Sequence, residues 1–135
     1  VFLVNTGRPG KTGPLVNVFL ERCKAGTIDA DKLIQLTNST IQALLDGEGK
    51  TFFKHLRDLS DFQYAYMRPM IPEDFLSLWK EGLKQDDYYL KLCGSGGGGF
   101  LLGFTRNYKH TKRRIAEQGS EVVPVYKMES LKELT

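Results

Sequence analysis

Five of the chain's 14 glycines fall in one six-residue stretch, Gly94-Ser95-Gly96-Gly97-Gly98-Gly99. Glycine loses more backbone freedom on ordering than any other residue, so this stretch cannot lie inside a helix or a strand. The segments on either side of it read as strands. Asp87 to Cys93 is rich in Tyr and Leu, and Phe100 to Thr105 is apolar and aromatic. A strand, a glycine loop and a second strand make a hairpin, and the rest of the fold has to be built around it. The loop has two readings. It is a flexible hairpin linker, or it lets backbone amides come close to an anion or a bulky substrate.

The remaining elements follow from periodicity. Val1 to Asn5 is β-prone, and Thr6 to Pro14 is a loop rich in Gly and Pro. Leu15, Val16, Phe19, Leu20 and Cys23 predict a helix to about Lys24, stopped by Gly26. Thr27 is the expected cap of a second helix whose core face carries Leu33, Leu36, Ile41, Leu44 and Leu45. A third helix is predicted from Thr51 to about Met67, with Phe52, Phe53, Leu56, Leu59 and Tyr66 towards the core. Pro72 suits the first position of a fourth, which carries Phe75, Leu78 and Trp79 and stops near Gly82 or slightly later. After the hairpin, Asn107 to Gln118 reads as a basic helix and Val122 to Tyr126 as a last strand. Helices cluster in the first half, so the fold class is α+β, a four-stranded antiparallel sheet packed with helices. The expected core includes Leu33, Leu36, Leu44, Phe75, Trp79, Leu90, Leu92 and Leu102.

Composition bounds the function. The chain has 135 residues, 41% of them hydrophobic and 26% charged, which is one ordinary globular domain without an internal boundary. Its net charge of +3 permits an anionic ligand without demanding nucleic acid. Apolar runs are far too short to span a membrane. Two cysteines, Cys23 and Cys93, are too few for a disulfide framework or a cysteine zinc site and read as reduced thiols in a cytoplasmic protein. The chain lacks an initiator Met and opens inside the apolar run Val1 to Val4. The expectation is a fragment, the C-terminal part of a longer protein.

Several motif-like features are discounted. Gly94, Gly96 and Gly99 satisfy G-x-G-x-x-G, but a strand rather than a helix follows them, so a dinucleotide site is rejected. Asn5 to Thr12 nearly spells a P-loop, with Asn5 where the first glycine belongs. The helical stretch that follows leaves no parallel sheet to support one. The basic run Arg106, Lys109, His110, Lys112, Arg113 and Arg114 reads first as a solvated face and second as an anion contact. His55 and His110 lack metal-ligand spacing, Asp86 and Asp87 point apart along an extended chain, and Ser95 has no evident base. These residues make no complete catalytic set and no metal site.

The stretch Lys91-Leu92-Cys93-Gly94-Ser95-Gly96-Gly97-Gly98-Gly99-Phe100-Leu101-Leu102 resembles the third, glycine-rich motif of the GHMP small-molecule kinases. Asn5-Thr6-x-x-Pro9-x-x-Thr12-x-x-Leu15-Val16 is similar to the segment that opens the second half of mevalonate kinases. The two motifs lie in the right order, and together the resemblance covers the chain as a GHMP kinase C-terminal, ferredoxin-like domain. The resemblance implies a two-lobed enzyme that moves the γ-phosphoryl group of ATP, with Mg²⁺, to the primary hydroxyl of mevalonate or a similar alcohol. Phosphomevalonate or a sugar is the other substrate class, because Gly10 and Lys11 depart from the mevalonate kinase pattern. It also implies that Thr12 and Ser95 bind substrate, and that Gly94, Gly96, Gly97 and Gly98 lie near substrate and phosphates. ATP and Mg²⁺ would be held mainly by the N-terminal lobe of the same protein. The family's P-x-x-x-G-L-G-S-S-A loop and its catalytic Asp and Lys have no counterpart in these residues, so the chain alone is expected not to turn over ATP. A bare lobe face could pair with a second copy. The alternative is a free-standing anion- or RNA-binding module that uses the glycine loop and the basic helix.

Overall fold

The computed structural model describes residues 1–7, 12–94 and 96–125, the side chain of Thr12 excepted. In chain order the elements are β1 (Phe2–Asn5), α1 (Thr12–Lys24), α2 (Ala30–Leu45), α3 (Gly49–Tyr66), two 3₁₀ turns (Arg68–Met70 and Glu73–Phe75), α4 (Leu76–Gln85), β2 (Tyr88–Leu92), β3 (Phe100–Thr105), α5 (Tyr108–Glu117) and β4 (Glu121–Pro124). The fold is α+β. The four strands form one sheet in the order β2-β3-β1-β4, antiparallel at every pairing. This is a split βαβ sheet whose first crossover has been expanded to four helices. An antiparallel sheet also removes the parallel frame that a P-loop at Asn5 to Thr12 would need. Asn5 instead turns its side chain onto the chain ahead, accepting the Gly7 N–H at 2.9 Å.

Alternation in the strands divides the sheet into two faces. Phe2, Val4, Leu90, Leu92 and Leu101 share one face and are buried. Their register partner Gly103 leaves the space that the Phe2 ring fills. Helices α4 and α5 close this face. Trp79 and Leu78 of α4 and Ile115 of α5 are all buried, and the Tyr88 hydroxyl donates to the Leu78 carbonyl at 2.5 Å. Arg114 ties the two helices together through Glu81, with Nε 2.7 Å from the carboxylate. On the other face Phe52 and Phe53 of α3 pack against Phe104 and Tyr89. Leu3, Leu102 and Val123, a row across three strands, stay half-buried there.

Helix boundaries follow local chemistry and differ from expectation at two places. The second helix is capped by Asp29, which accepts the Lys32 N–H at 3.1 Å, and not by Thr27. Asp29 is directly N-terminal to the helix and also complements its dipole. Pro72 precedes a 3₁₀ turn and not an α-helix, whereas α4 ends at Gln85, slightly past Gly82 as expected. Gly82 is retained inside the helix because the Tyr88 ring and carbonyl occupy the space of a side chain.

The core corrects the reading of α2. Its buried stripe is Thr40 and Ala43 with half-buried Leu33 and Leu36, facing α3. Thr40 can be buried because its hydroxyl donates to the Leu36 carbonyl at 2.7 Å. Leu44 is 60% exposed, and Ile41 and Leu45 are exposed with it. Leu44 stands in the last turn of α2, one turn past buried Thr40, and is exposed there. Leu102 is half-buried because it belongs to the sheet face opposite Leu101. Tyr66 is exposed against Phe62. Phe75, Trp79, Leu90 and Leu92 are buried as expected.

Candidate functional site

The glycine loop sits at one end of the β2–β3 hairpin and is held from three sides. Thr6, just past β1, donates both its backbone N–H and its hydroxyl to the Gly99 carbonyl, each at 2.9 Å, across 93 residues of sequence. The Gly97 N–H donates to the Met70 carbonyl at 2.5 Å. Leu15, in the first turns of α1, fills the space where a Gly97 side chain would stand. Gly96 is buried with φ +75°, and a Cβ there would stand 2.5 Å from the Met70 carbonyl oxygen. Only glycine combines that left-handed backbone with that approach. The loop is packed, not a slack linker.

The structure therefore brings the two sequence motifs together. The glycine run meets the end of β1 and the start of α1, at whose first position Thr12 stands. Gly96 and Gly98 are buried and Gly94 is exposed. Ser95 and residues 8–11 lie outside the described residues, as does the Thr12 side chain.

Beside the loop lies a cavity of about 460 Å³ between α1, α2, α3 and the end of β2. That volume falls in the range of small-molecule pockets, roughly 300–1,000 Å³. Its walls are mainly apolar, with Leu15, Phe19, Leu33, Leu59 and Met67 prominent, and Gly94 borders it. The polar side chains are Thr37, Gln63 and Lys91. Burial holds the Lys91 ammonium below the usual lysine range. A wider hollow on the other side of the loop is lined by Pro14, Arg22, Arg68 and Gly97.

The basic helix is elsewhere and largely engaged. In the β2–β3 register Leu92 and Leu101 adjoin the glycine loop, whereas Tyr88 and Thr105 lie at the far end. Asn107 caps α5 just beyond Thr105, so Arg106, Lys109 and His110 lie at the end opposite the loop. Arg106 stacks on Phe53 at 4.3 Å, Arg114 pairs with Glu81 and His110 lies 3.7 Å from Asp87. Asp86 and Asp87 do diverge. Asp86 accepts from Arg57 and Tyr89, while Asp87 faces His110. Among the described residues no three His, Cys, Asp or Glu side chains gather to hold a metal, and no helix is long and apolar enough to cross a membrane.

Sequence reasoning missed Met70 and Gln63. A backbone carbonyl that receives a loop amide leaves no signature in its own side chain, and Gln63 reads as an ordinary polar helix residue. Thr6 and Lys91 were visible only as parts of motifs.

The fold and the packed loop define an α+β domain built on a split βαβ sheet, with its candidate site at the glycine hairpin. Among solved structures the chain is similar to the crystal structure of a Lin0012 protein from Listeria innocua, with a TM-score of 0.67 at 17% identity. The match covers 92% of this chain and 38% of that one, so the chain spans well under half of its structural neighbour. At this identity the likeness establishes the fold alone. No protein-family profile matches the sequence, and no curated protein matches it either.

Proposed function

We propose that the chain is the C-terminal lobe of an ATP-dependent GHMP-type small-molecule kinase acting on the primary hydroxyl of mevalonate or a similar alcohol. The observation that carries this reading is the contact of the glycine loop with the end of β1 and the start of α1. Those are the two segments whose sequences resemble the kinase motifs, and a substrate site shared between them requires that they meet. In this reading Gly94, Gly96, Gly97 and Gly98 shape the wall next to substrate and phosphates. Thr12 and Ser95 are the side chains offered to the substrate. Phosphoryl transfer needs positioning and charge stabilisation more than covalent help from the protein, and a rigid backbone wall serves the first.

In this reading ATP and Mg²⁺ are held mainly by an N-terminal lobe, where the resemblance puts the family's phosphate loop and catalytic residues. The half-buried row Leu3, Leu102 and Val123, with exposed Phe100 at its edge, gives such a lobe an apolar face to cover. The anion- or RNA-binding alternative has less support. Its loop and the start of its helix lie at opposite ends of the hairpin.

The test is ADP release by the protein that joins this chain to its N-terminal lobe, with mevalonate, phosphomevalonate and galactose as acceptors. One acceptor should support turnover, and Gly97→Val should abolish it. The 135-residue chain alone should be silent. No turnover with any acceptor would overturn the kinase reading, and turnover by the chain alone would overturn the division between lobes. RNA affinity that falls steeply with salt would favour the alternative.

A further inference from the structure

Lys91 is a cation on the wall of an apolar cavity with no carboxylate beside it. Its Nζ donates to the neighbouring Leu92 carbonyl at 2.7 Å. An ammonium has three donors, so two remain for another partner. No Asp or Glu among the described residues pairs with it. Gln63 lines the same cavity, and its carbonyl oxygen is committed to the Leu92 N–H at 2.9 Å, which leaves its NH₂ as a further donor. The free capacity at this end of the cavity is therefore that of donors around one positive charge. The rest is apolar apart from Thr37, whose hydroxyl donates to the Leu33 carbonyl at 2.8 Å.

We propose that this cavity binds a small amphipathic carboxylate, with its apolar tail among Leu15, Phe19, Leu33, Leu59 and Met67 and its carboxylate on the Lys91 ammonium. A half-buried charge without a partner is unfavourable, and a carboxylate supplies both the opposite charge and the missing acceptors. One ammonium and one amide match a monoanion. Burial also lowers the basicity of Lys91, with Cys93 acting in the opposite direction and no carboxylate contributing. The walls come mainly from three helices and a strand end, with Met70 and Gly94 at the border, so the cavity is set chiefly by the packing of regular elements. The site goes beyond the kinase reading and does not depend on it, because it needs neither nucleotide nor a second lobe.

The experiment measures octanoate and octanol binding to the purified protein by titration calorimetry, without nucleotide. The pair shares a tail and differs in the head. Octanoate should bind about tenfold more tightly or better, the range expected for a charge-assisted hydrogen bond. Lys91→Met should remove that advantage and leave octanol unchanged. Lys91→Gln serves if the first variant does not fold, as judged by its thermal transition. Leu33→Trp should fill the cavity and weaken both ligands. Equal binding of the two ligands to the wild type, no binding of either, or an octanoate preference that survives loss of the Lys91 charge would each overturn the proposal.

Discussion

The side-chain carbonyl of Gln63 accepts the backbone N–H of Leu92 at 2.9 Å, so a helix completes the hydrogen bonding of an edge strand. β2 lies at the end of the sheet, and one side of its ladder faces no other strand. Ser60, one turn earlier on α3, donates its hydroxyl to the Leu90 carbonyl at 2.6 Å. Arg57, one further turn back, reaches Asp86 at 2.8 Å. Side chains at i, i+3 and i+6 share one helix face, so α3 runs alongside β2 and closes an edge that would otherwise invite another strand.

Replacing Gln63 by Leu should leave the Leu92 N–H buried without a partner. The expected cost is about 1–3 kcal/mol, read by denaturant unfolding. The Leu92 amide should also exchange with solvent much faster than in the wild type, while amides of α5 keep their protection. Unchanged exchange at Leu92 would show that the contact does not hold the edge.

Gly96 and Gly99 separate two effects within one loop. Both have positive φ, +75° and +66°, but only Gly96 has a backbone atom in the way of a side chain. Gly99→Ala should lose about 1–2 kcal/mol from backbone strain alone. Gly96→Ala adds a clash with the Met70 carbonyl and should lose about 1–3 kcal/mol more. Thermal melts of the two variants, compared side by side, check the order. Equal losses would mean that the loop moves away from Met70 without cost.

The Tyr108 hydroxyl is buried without a hydrogen-bond partner among the described residues, while its ring packs against Phe2 with centroids 6.4 Å apart. Tyr108→Phe keeps the ring and removes the unsatisfied group. The variant should be as stable as the wild type or more so, by up to about 1 kcal/mol. A clear loss of stability in urea would point to a partner that the hydroxyl holds in solution.

Tyr88 and Tyr89 should make folding weaken in alkali. Burial is the main cause that raises both hydroxyls, Tyr89 to about 12 and Tyr88 further, with Glu81 adding to Tyr88 and Asp86 to Tyr89. An unfolded tyrosine ionises near pH 10. Between about pH 10 and 12 the unfolded chain therefore releases protons that the folded chain keeps. Stability is full below that window and falls as pH rises through it. Denaturation midpoints across the window should fall, and the fall should be shallower in Tyr89→Phe. A midpoint that stays level to pH 12 would contradict the burial of both hydroxyls.

Much of the fold could be read from the chain. The glycine run and its flanking Tyr- and Leu-rich segments require a hairpin, and β3 spans the expected Phe100–Thr105. The basic helix expected from Asn107 to Gln118 is α5, and Asn107 proves to cap it by accepting the His110 N–H. The reading failed on α2, which is apolar on more than one side. Periodicity alone offered Leu44, and the position of α3 chose Ala43. The candidate site was legible as two motifs but not as one place. Nothing in the chain says that Gly97 meets Leu15 and Met70.

The sequence by itself determined the local conformations. Glycine, proline, caps and alternation act over a few residues, and their preferences are intrinsic to each residue type. Tertiary structure decided which partners meet. The Met70 carbonyl, the Gln63 amide and the Lys91 ammonium have ordinary preferences in isolation. They gain their roles when α1 and α3 pack beside the end of β2, a choice made by burial summed over the whole core.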